Sequence, residues 1–296
     1  MPGMVCNLKK RRIWKIAIAC TILVFLPLFA YLQNNMITIT EIHYENESIP
    51  SSFSGLRILQ VSDLHNKEFG NQQHQLAEMT KEADPDIILI TGDIIDCSHP
   101  DIEAAMDYVD AAVQIAPVYF AAGNHESWSG LYTILSERLI AAGVIILDNQ
   151  SIYLEKGDEQ IAIIGIQDPE FFESDSDFID TLASLKKPDC FSILLSHRPE
   201  MMEFYTGDGY DLIFAGHAHG GQIRLPGIRG IYAPDQGFFP EYSSGMYTVE
   251  NTSMIVSRGL GNSVIPLRIL NQPELILVTL SCSISDNPYY FEKTDV

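Results

Sequence analysis

The stretch Leu56-Arg57-Ile58-Leu59-Gln60-Val61-Ser62-Asp63-Leu64-His65 joins a β-strand pattern to two side chains that can bind a metal. Its first six residues include four apolar ones, as expected of a buried strand. Asp63 and His65 need not point to opposite faces, because the strand has ended before them. In an open α/β sheet, ligands bind outside the carboxyl ends of the strands. The stretch therefore predicts an α/β fold with a site at the carboxyl edge of its sheet.

Four further apolar segments end in the same kind of polar residue. The residues that follow them are Gly92-Asp93, Gly123-Asn124-His125-Glu126, Ser196-His197 and Gly216-His217-Ala218-His219. Parallel strands bring their carboxyl ends to one edge, so residues 63 and 219 can meet. The five segments offer seven metal-binding side chains, enough for two ions that share one ligand. Carboxylate with imidazole is the ligand set of Mn, Zn, Fe or Ni rather than Mg or Ca. Such a metal pair indicates hydrolysis of a phosphate ester.

Hydrophobic periodicity predicts helices between the first strands and a second half that is richer in strands. Helices are expected at 72–83, 101–113 and 129–142, which makes βαβ units and a largely parallel sheet in the first half. Segment 225–245, rich in Gly, Pro and aromatic residues, is expected to be a long loop. The predicted strands are 56–61, 86–90, 118–121, 144–147, 151–155, 160–166, 191–195, 212–215, 246–250, 253–258 and 274–280.

The N-terminal segment has the pattern of a membrane anchor. Residues 16–32 carry no charge, and with the two residues at 13–14 they approach the ~20 residues that span a bilayer. Four consecutive basic residues, 9–12, precede them, so the positive-inside rule keeps the N-terminus in the cytoplasm. A cleaved signal peptide is the alternative, although Leu28 fits poorly before a cleavage site at Ala30. We expect an uncleaved, single-pass anchor in the cell membrane, with the globular domain on the outer side.

The chain thus divides into an anchor and one globular domain. Residues 1–33 are expected to form a cytoplasmic basic stub and the transmembrane anchor, and residues 34–54 a connector with a first strand. Residues 55–280 form the domain, and residues 281–296 a polar, frayed tail. The five cysteines show no CxxC spacing, so neither a zinc knuckle nor a disulfide framework is indicated.

The charge is strongly negative beyond the N-terminus. Five of the 18 basic residues precede the first acidic one, Glu41, and the other 13 stand against 39 acidic residues. Nucleic-acid binding usually needs a basic face, because neutralisation of phosphates supplies most of the affinity. We therefore expect no nucleic-acid partner, and a nuclease is disfavoured.

The five segments, in this order, resemble the signature of the calcineurin-like metallophosphoesterases. The resemblance covers roughly residues 55–280. With Ser257-Arg258-Gly259-Leu260-Gly261 downstream, the Gly-His-Ala-His-Gly-Gly-Gln form resembles the membrane-anchored or exported bacterial branch of that family. It implies the calcineurin-like phosphoesterase fold, an α/β (α+β sandwich) class with two central mixed β-sheets flanked by helices. An N-terminal transmembrane helix precedes this fold here.

The resemblance also implies a binuclear site. One metal would be held by Asp63, His65, Asp93 and His219, and the other by Asp93, Asn124, His197 and His217. Asp93 would bridge the two. His125 would be the catalytic histidine, which contacts the phosphoryl oxygens or protonates the leaving group. Which of Mn, Zn, Fe or Ni is bound is not indicated.

Several residues near the motifs have two interpretations. Arg258 could clamp a phosphate of the substrate, or it could form a structural salt bridge. Asp168 could orient a ligand histidine, or serve the turn before Pro169. Glu126 is expected to donate or accept hydrogen bonds behind the metal ligands, or to cap a helix. The aromatic segment 238–242 could touch a bilayer or a lipid tail, although packing over the sheet is favoured.

These features together predict a binuclear, metal-dependent phosphoesterase. We expect it to hydrolyse phosphodiester or pyrophosphate bonds of an amphiphilic or lipid-linked substrate, through a hydroxide held between the metals. A phosphomonoesterase or protein phosphatase is the first alternative. A non-catalytic ectodomain that binds metal or phosphate is the second, and it would not need His125. The pattern does not indicate an oligomeric state.

Overall fold

The computed structural model of the protein describes residues 2–187, 189–225, 227, 230–262 and 266–282. Its helices are α1 (Pro2–Asn35), α2 (His74–Glu82), α3 (Ile102–Ala112), α4 (Asn124–Ser129), α5 (Tyr132–Ala142), α6 (Asp175–Leu185) and α7 (Met202–Gly207). Its strands are β1 (Thr38–Glu45), β2 (Arg57–Val61), β3 (Ile87–Ile90), β4 (Val118–Phe120), β5 (Ile145–Ile146), β6 (Gln150–Lys156), β7 (Glu159–Gly165), β8 (Ser192–Leu195), β9 (Leu212–Ala215), β10 (Tyr232–Ala233), β11 (Gly237–Phe238), β12 (Gly245–Val249), β13 (Thr252–Val256) and β14 (Glu274–Ser281).

Two six-stranded sheets pack face to face and carry helices on their outer faces. The first has the strand order β1-β14-β2-β3-β4-β5, and the second β12-β13-β9-β8-β7-β6. Ile58 of β2 and Phe214 of β9 belong to the apolar cluster between the sheets. The next residue, Leu59, faces the cluster under α2, α3 and α5, as the alternation of side chains along a strand requires. Helices α6 and α7 cover the second sheet. The predicted fold class is confirmed.

Strand directions bring the candidate ligands to one side of the molecule. Strands β2 to β5 are parallel, as are β7, β8, β9 and β13. We call the side at which β2, β3, β4, β8 and β9 end the carboxyl edge, and the opposite side the amino edge. Strand β14 runs antiparallel to β2, and β1 runs parallel to β14. The parallel core of the first half is therefore as predicted, and strands from both ends of the domain complete that sheet.

Some predicted element bounds are wrong for local backbone reasons. The predicted helix 129–142 begins later, at Tyr132, because Gly130 adopts a left-handed conformation (φ 67°) that ends the preceding helix, α4, at Ser129. The predicted helix 72–83 begins later, at His74, because Gln72 and Gln73 also have positive φ. The expected loop 225–245 contains the short hairpin of β10 and β11.

Helix α1 includes the uncharged segment 16–32 and extends beyond it at both ends. Over Trp14–Asn35 it is long and apolar enough to cross a membrane, with a mean hydropathy of 2.2. None of this span is buried against the domain. The first strand expected within 34–54 is β1. Of the expected C-terminal tail, residues 283–296 lie outside the described residues.

Candidate metal centre

The carboxyl edge gathers all seven candidate ligands into one buried site. Asp63 and His65 follow β2, Asp93 follows β3, Asn124 starts α4 after β4, His197 follows β8, and His217 and His219 follow β9. Each of these side chains is at least nine-tenths buried. Residues separated by more than 150 positions thus meet where the strands end, as the sequence predicts.

One cluster of ligand atoms comprises Asp63, His65 and His219. The Nε2 atoms of the two histidines lie 3.1 Å apart. Asp63 Oδ1 lies 3.5 Å from His219 Nε2 and 3.9 Å from His65 Nε2. These three residues belong to the set that the resemblance assigns to one metal.

A second cluster comprises Asp93, His197 and His217. Asp93 Oδ2 lies 3.1 Å from His197 Nε2 in this cluster and 3.6 Å from His65 Nε2 in the first. One carboxylate oxygen therefore stands between histidines of both clusters. This is the position that a shared ligand needs.

Unsatisfied buried atoms test whether metals fit these residues. Asp63 Oδ2 and Asn124 Oδ1 are buried and have no hydrogen-bond partner among the described residues. His197 Nδ1 donates to the carbonyl oxygen of Thr91 at 2.7 Å, which turns Nε2 towards Asp93 Oδ2, 3.1 Å away, where it can bind a cation that displaces the shared proton. Because buried polar groups without partners are rare and costly, the donor set fits cations.

The electrostatics of the histidines differ between the two clusters. Burial lowers the pKa of His65 to about 4. Burial, with His65 beside it, also holds the pKa of His219 well below its usual range. Burial lowers the pKa of His197 too, but the carboxylate of Asp93 outweighs it, and the net result is a pKa of about 10. The first cluster therefore offers neutral imidazoles, whereas His197 holds a proton next to Asp93 until a cation displaces it.

Most of the ligands stand on strained backbone. Asp63, His65, Asp93, His217 and His219 all have φ between 47° and 64°, a region that non-glycine residues rarely adopt. Such strain persists only where the surroundings enforce it, and it clusters at functional sites. Sequence patterns gave no sign of this strain.

Two glycines allow the close approaches that hold the ligand loops. A Cβ atom at Gly123 would lie 2.4 Å from Asp93 Oδ1, and one at Gly259 would lie 2.7 Å from the Cβ of Asp63. The amides of Leu260 and Gly261 also donate to the Asp63 carbonyl. The stretch 257–261, which the sequence associates with one branch of the family, therefore braces the loop of Asp63.

His125 presents one ring nitrogen to the site. Its Nδ1 accepts from the backbone N–H of Cys97 at 3.0 Å, so in the neutral ring the proton is on Nε2. Its own backbone N–H donates to Asp93 Oδ1 at 2.8 Å. The ring lies 4.4 Å from the ring of His65 between centroids. His125 is thus next to the candidate ligands with a proton available at Nε2.

Glu126 is a buried anchor for two ligand loops. Its carboxylate accepts from the backbone N–H groups of Asp93, Ile94, Ile95 and Gly123, at 2.7 to 3.3 Å. Burial raises its pKa to about 8, and the hydrogen bonds oppose that rise. Both interpretations of Glu126 are realised, because the bond to Gly123 also forms the capping box of α4.

Asp168 contacts an arginine instead of a ligand histidine. It forms a bidentate ion pair with Arg198, at 2.6 and 2.9 Å, and it also accepts from Glu170 N in the turn. Arg198 Nη1 lies 3.3 Å from His217 Nε2 and pairs with Asp235. Asp235 in turn lies 2.9 Å from His217 Nε2. Sequence patterns missed Asp235, which lies in the Gly- and Pro-rich segment assigned to a loop.

Arg258 forms a structural salt bridge, which is the second of its two predicted roles. Its Nη2 lies 2.8 Å from Glu274 Oε1 and donates to the hydroxyl of Thr38 at 3.1 Å. Contact with a substrate stays a prediction. Of the aromatic segment, Tyr242 packs against the apolar cluster of the second sheet as expected, whereas Phe238 and Phe239 are 73% and 68% exposed.

Known proteins share this arrangement of motifs. The family model described as calcineurin-like phosphoesterase matches residues 56–221, more than half of the chain. The chain belongs to the calcineurin-like phosphoesterase family. The matched residues of this calcineurin-like phosphoesterase include all seven candidate ligands and His125.

Three relatives illustrate the range of similarity. The uncharacterized metallophosphoesterase YkuE of Bacillus subtilis (strain 168) is 33% identical, with 84% of this chain and 87% of the relative covered. The phosphodiesterase YaeI of Escherichia coli (strain K12) is 27% identical, with 76% and 82% covered. A transmembrane protein with metallophosphoesterase domain from Danio rerio is also 27% identical, with 82% and 57% covered.

Proposed function

We propose that this calcineurin-like phosphoesterase is a membrane-anchored phosphodiesterase with two divalent metals. It hydrolyses phosphodiester or pyrophosphate bonds of an amphiphilic or lipid-linked substrate. The observation that carries the proposal is the position of Asp93 Oδ2, within 3.6 Å of His65 Nε2 and 3.1 Å of His197 Nε2. A carboxylate oxygen that lies between two clusters of histidine and aspartate side chains supports a pair of metal ions that share this oxygen as a ligand.

Each metal has its own set of protein ligands in this proposal. Asp63, His65 and His219 would hold one ion, Asn124, His197 and His217 would hold the other, and Asp93 would contribute to both. When bound, the two ions supply Lewis-acid chemistry, since they lower the pKa of a shared water towards ~7 and neutralise phosphoryl oxygens. Asn124 is a neutral ligand, so it leaves more of the positive charge available to an anionic phosphate. Asp93 offsets the repulsion between the ions.

The tautomer of His125 supports one of its two predicted roles. The N–H of Cys97 donates to Nδ1, so Nε2 is the ring nitrogen that can donate a hydrogen bond to a substrate. We therefore infer that His125 holds a phosphoryl oxygen through Nε2–H, and that this bond strengthens as charge develops in the transition state.

Phosphodiester specificity and membrane attachment rest on separate observations. A relative named phosphodiesterase YaeI supports diesters. The apolar span of α1 and a relative named as a transmembrane protein support an anchor. The basic residues 9–12 before the span favour a cytoplasmic N-terminus and a domain on the outer side of the cell membrane. The aromatic side chains exposed near the site favour an amphiphilic substrate.

The chemistry is tested with the full chain in detergent, on bis-p-nitrophenyl phosphate and p-nitrophenyl phosphate. The separate arms contain Mn²⁺, Zn²⁺, Fe²⁺, Ni²⁺ or a chelator. We expect metal-dependent turnover of the diester that exceeds turnover of the monoester. Faster turnover of the monoester or of phosphopeptides would favour the phosphatase alternative. No turnover with any metal would contradict the proposed activity and favour the second alternative, a non-catalytic ectodomain that binds metal or phosphate. Protease access to the domain in intact cells tests its external placement.

A further inference from the structure

The first strand brings the end of α1 to the carboxyl edge. Strand β1 runs parallel to β14, which runs antiparallel to β2. Its first residue, Thr38, therefore lies at the side where β2 ends. Two residues, Met36 and Ile37, separate Thr38 from Asn35, the last residue of α1. The apolar helix thus joins the domain on the side of the candidate metal ligands.

Hydrogen bonds fasten the last turn of α1 to loops of that edge. Gln33 Oε1 accepts from the backbone N–H of Asn271 at 3.2 Å. Asn271 Nδ2 in turn donates to the carbonyl oxygen of His219 at 2.8 Å. Asn34 Oδ1 accepts from Asn262 Nδ2 at 2.9 Å. One polar residue therefore connects the anchor to the backbone of a candidate metal ligand.

Two basic side chains stiffen this junction. Lys67, in the loop after β2, donates to the carbonyl oxygen of Asn34. Arg268 is 1% exposed and donates to Asn262 Oδ1 at 3.1 Å and to the carbonyl oxygen of Gly261. Because two loops of the edge hold the end of α1, the one after β2 and the one between β13 and β14, the orientation of the domain relative to the helix is restricted.

Exposed apolar side chains surround the same loops. We call them the apolar face: Leu225, Tyr232, Phe238, Phe239, Leu267 and Leu270, which are 36 to 73% exposed. Backbone hydrogen bonds join their segments, from Arg224 N to Ile269 O and from Ile231 N to Ile223 O. The hairpin that carries Phe238 also places Asp235 against His217. The apolar face therefore borders the candidate metal centre.

We propose that the apolar face rests on the bilayer that holds α1, and that the metal centre opens into the headgroup layer and acts on lipid phosphoesters there. The inference deepens the proposed function and depends on α1 spanning the membrane. Exposed apolar patches of this kind mark interaction sites. The chain has a net charge of −21, so contact comes from burial of apolar side chains and not from attraction to anionic lipids.

Tryptophan fluorescence in vesicles tests the contact without requiring turnover. The chain has two tryptophans, Trp14 and Trp128, and both are changed to Phe. Single probes are then introduced as Phe238→Trp and Leu270→Trp on the apolar face. The matched control is Val249→Trp, at a 38% exposed position where β12 ends on the amino edge. The full-length variants are reconstituted into phosphatidylcholine vesicles with plain or brominated acyl chains, and their melting temperatures are compared with that of the parent.

Insertion of ~5–10 Å into the headgroup boundary should let brominated lipid reduce the emission of both face probes about twofold, and that of the control by much less. Equal emission of the face probes in both lipids, or equal quenching of the control, would overturn the inference. A chain that keeps Trp14 and carries Trp128→Phe reports on the anchor. If Trp14 is quenched and the face probes are not, α1 is in the membrane but the apolar face does not contact it. If Trp14 is not quenched, neither the membrane anchor nor the membrane contact is supported. The phosphodiesterase assay does not depend on either result.

Discussion

The two edges of the sheets carry polar side chains in opposite states: buried and, in the part of the chain that the structure describes, without partners at the carboxyl edge, and partly buried with several partners at Asp211 of the amino edge. At the carboxyl edge, Asp63 Oδ2 and Asn124 Oδ1 lack hydrogen-bond partners among the described residues. At the amino edge, Asp211 Oδ2 accepts from Lys186 Nζ at 3.0 Å and from the N–H and hydroxyl of Ser192 at 2.9 and 2.6 Å. An unsatisfied buried group costs ~1–3 kcal/mol. The cluster at the carboxyl edge therefore needs a ligand, whereas Asp211 is satisfied by its protein partners.

The amino edge also carries a groove, which is separate from the candidate ligands. A groove of about 1360 Å³ opens at the amino edge, between residues 43–48 of β1 and its following turn and residues 246–252 of the β12–β13 hairpin. The backbone strain and the paired clusters lie at the carboxyl edge instead. Unsatisfied buried atoms, strained ligand loops and the paired clusters thus coincide at the carboxyl edge and not at the groove.

The largest contrast between the edges is expected from removing one carboxylate at each. Asp93→Asn takes away the charge that both metals share, so diester turnover should fall by about 10³-fold or more. The matched change, Asp211→Asn, should cost ~1–3 kcal/mol of stability through lost hydrogen bonds and should leave turnover close to that of the parent. Steady-state kinetics and chemical denaturation measure the two effects. Similar losses of turnover in both variants would contradict the assignment of catalysis to the carboxyl edge alone.

His125→Ala separates a substrate contact from a metal ligand. We expect turnover to fall by about 10²–10³-fold, because a hydrogen bond to the transition state is lost. Both metals should remain, since the ring is not assigned to either set. Kinetics with elemental analysis of the purified chain tests this, and His43→Ala, an exposed histidine of β1, is the control. Loss of a metal from the His125 variant would show instead that this ring is a ligand.

The proton on His197 makes metal uptake depend on pH. In the metal-free protein its pKa is raised to about 10, so at neutral pH an incoming cation must release that proton. Affinity should therefore increase with pH up to about 10. By the same linkage, the stability from the His197–Asp93 pair is present below pH ~6.5 and is lost as pH rises to about 10. Calorimetry in buffers of different ionisation enthalpy would detect the released proton, and its absence would contradict this protonation state.

Arg258 should show the smallest effect of the four. Its guanidinium pairs with Glu274 and contacts Thr38, so Arg258→Gln should cost ~1–3 kcal/mol of stability, because the buried carboxylate of Glu274 loses a charged partner. KM should change less than about twofold, because no binding energy to the substrate is lost. A large increase in KM with unchanged stability would show instead that Arg258 binds a phosphate of the substrate, the interpretation that the sequence supports as well as a structural salt bridge.

The strand ends were predictable because two local signals coincide there. A buried strand shows as an apolar run, and Asp63 or His217 follows where that run stops, which is a pattern within a few residues. The ends of the domain were not predictable in the same way. Joining β1 to β14 and β14 to β2 requires pairing across more than 200 residues, and no local pattern encodes which strands become neighbours.

Partner choice of buried polar residues also escapes sequence patterns. Asp168 takes the turn role that was one of its two interpretations. It also pairs with Arg198, which in turn contacts His217 and Asp235, and no sequence pattern predicts that pairing. The outcome depends on loops that converge only after folding. Positive φ at residues such as Asp93 is likewise imposed by tertiary contacts, because the residue itself disfavours that conformation.

The most direct test of the two-metal centre is anomalous diffraction from crystals grown with Mn²⁺, measured at the manganese absorption edge. The account predicts two anomalous peaks ~3.5–4 Å apart, with Asp93 between them and the Asp63 and His197 clusters on either side. A single peak, or peaks away from the carboxyl edge, would contradict it.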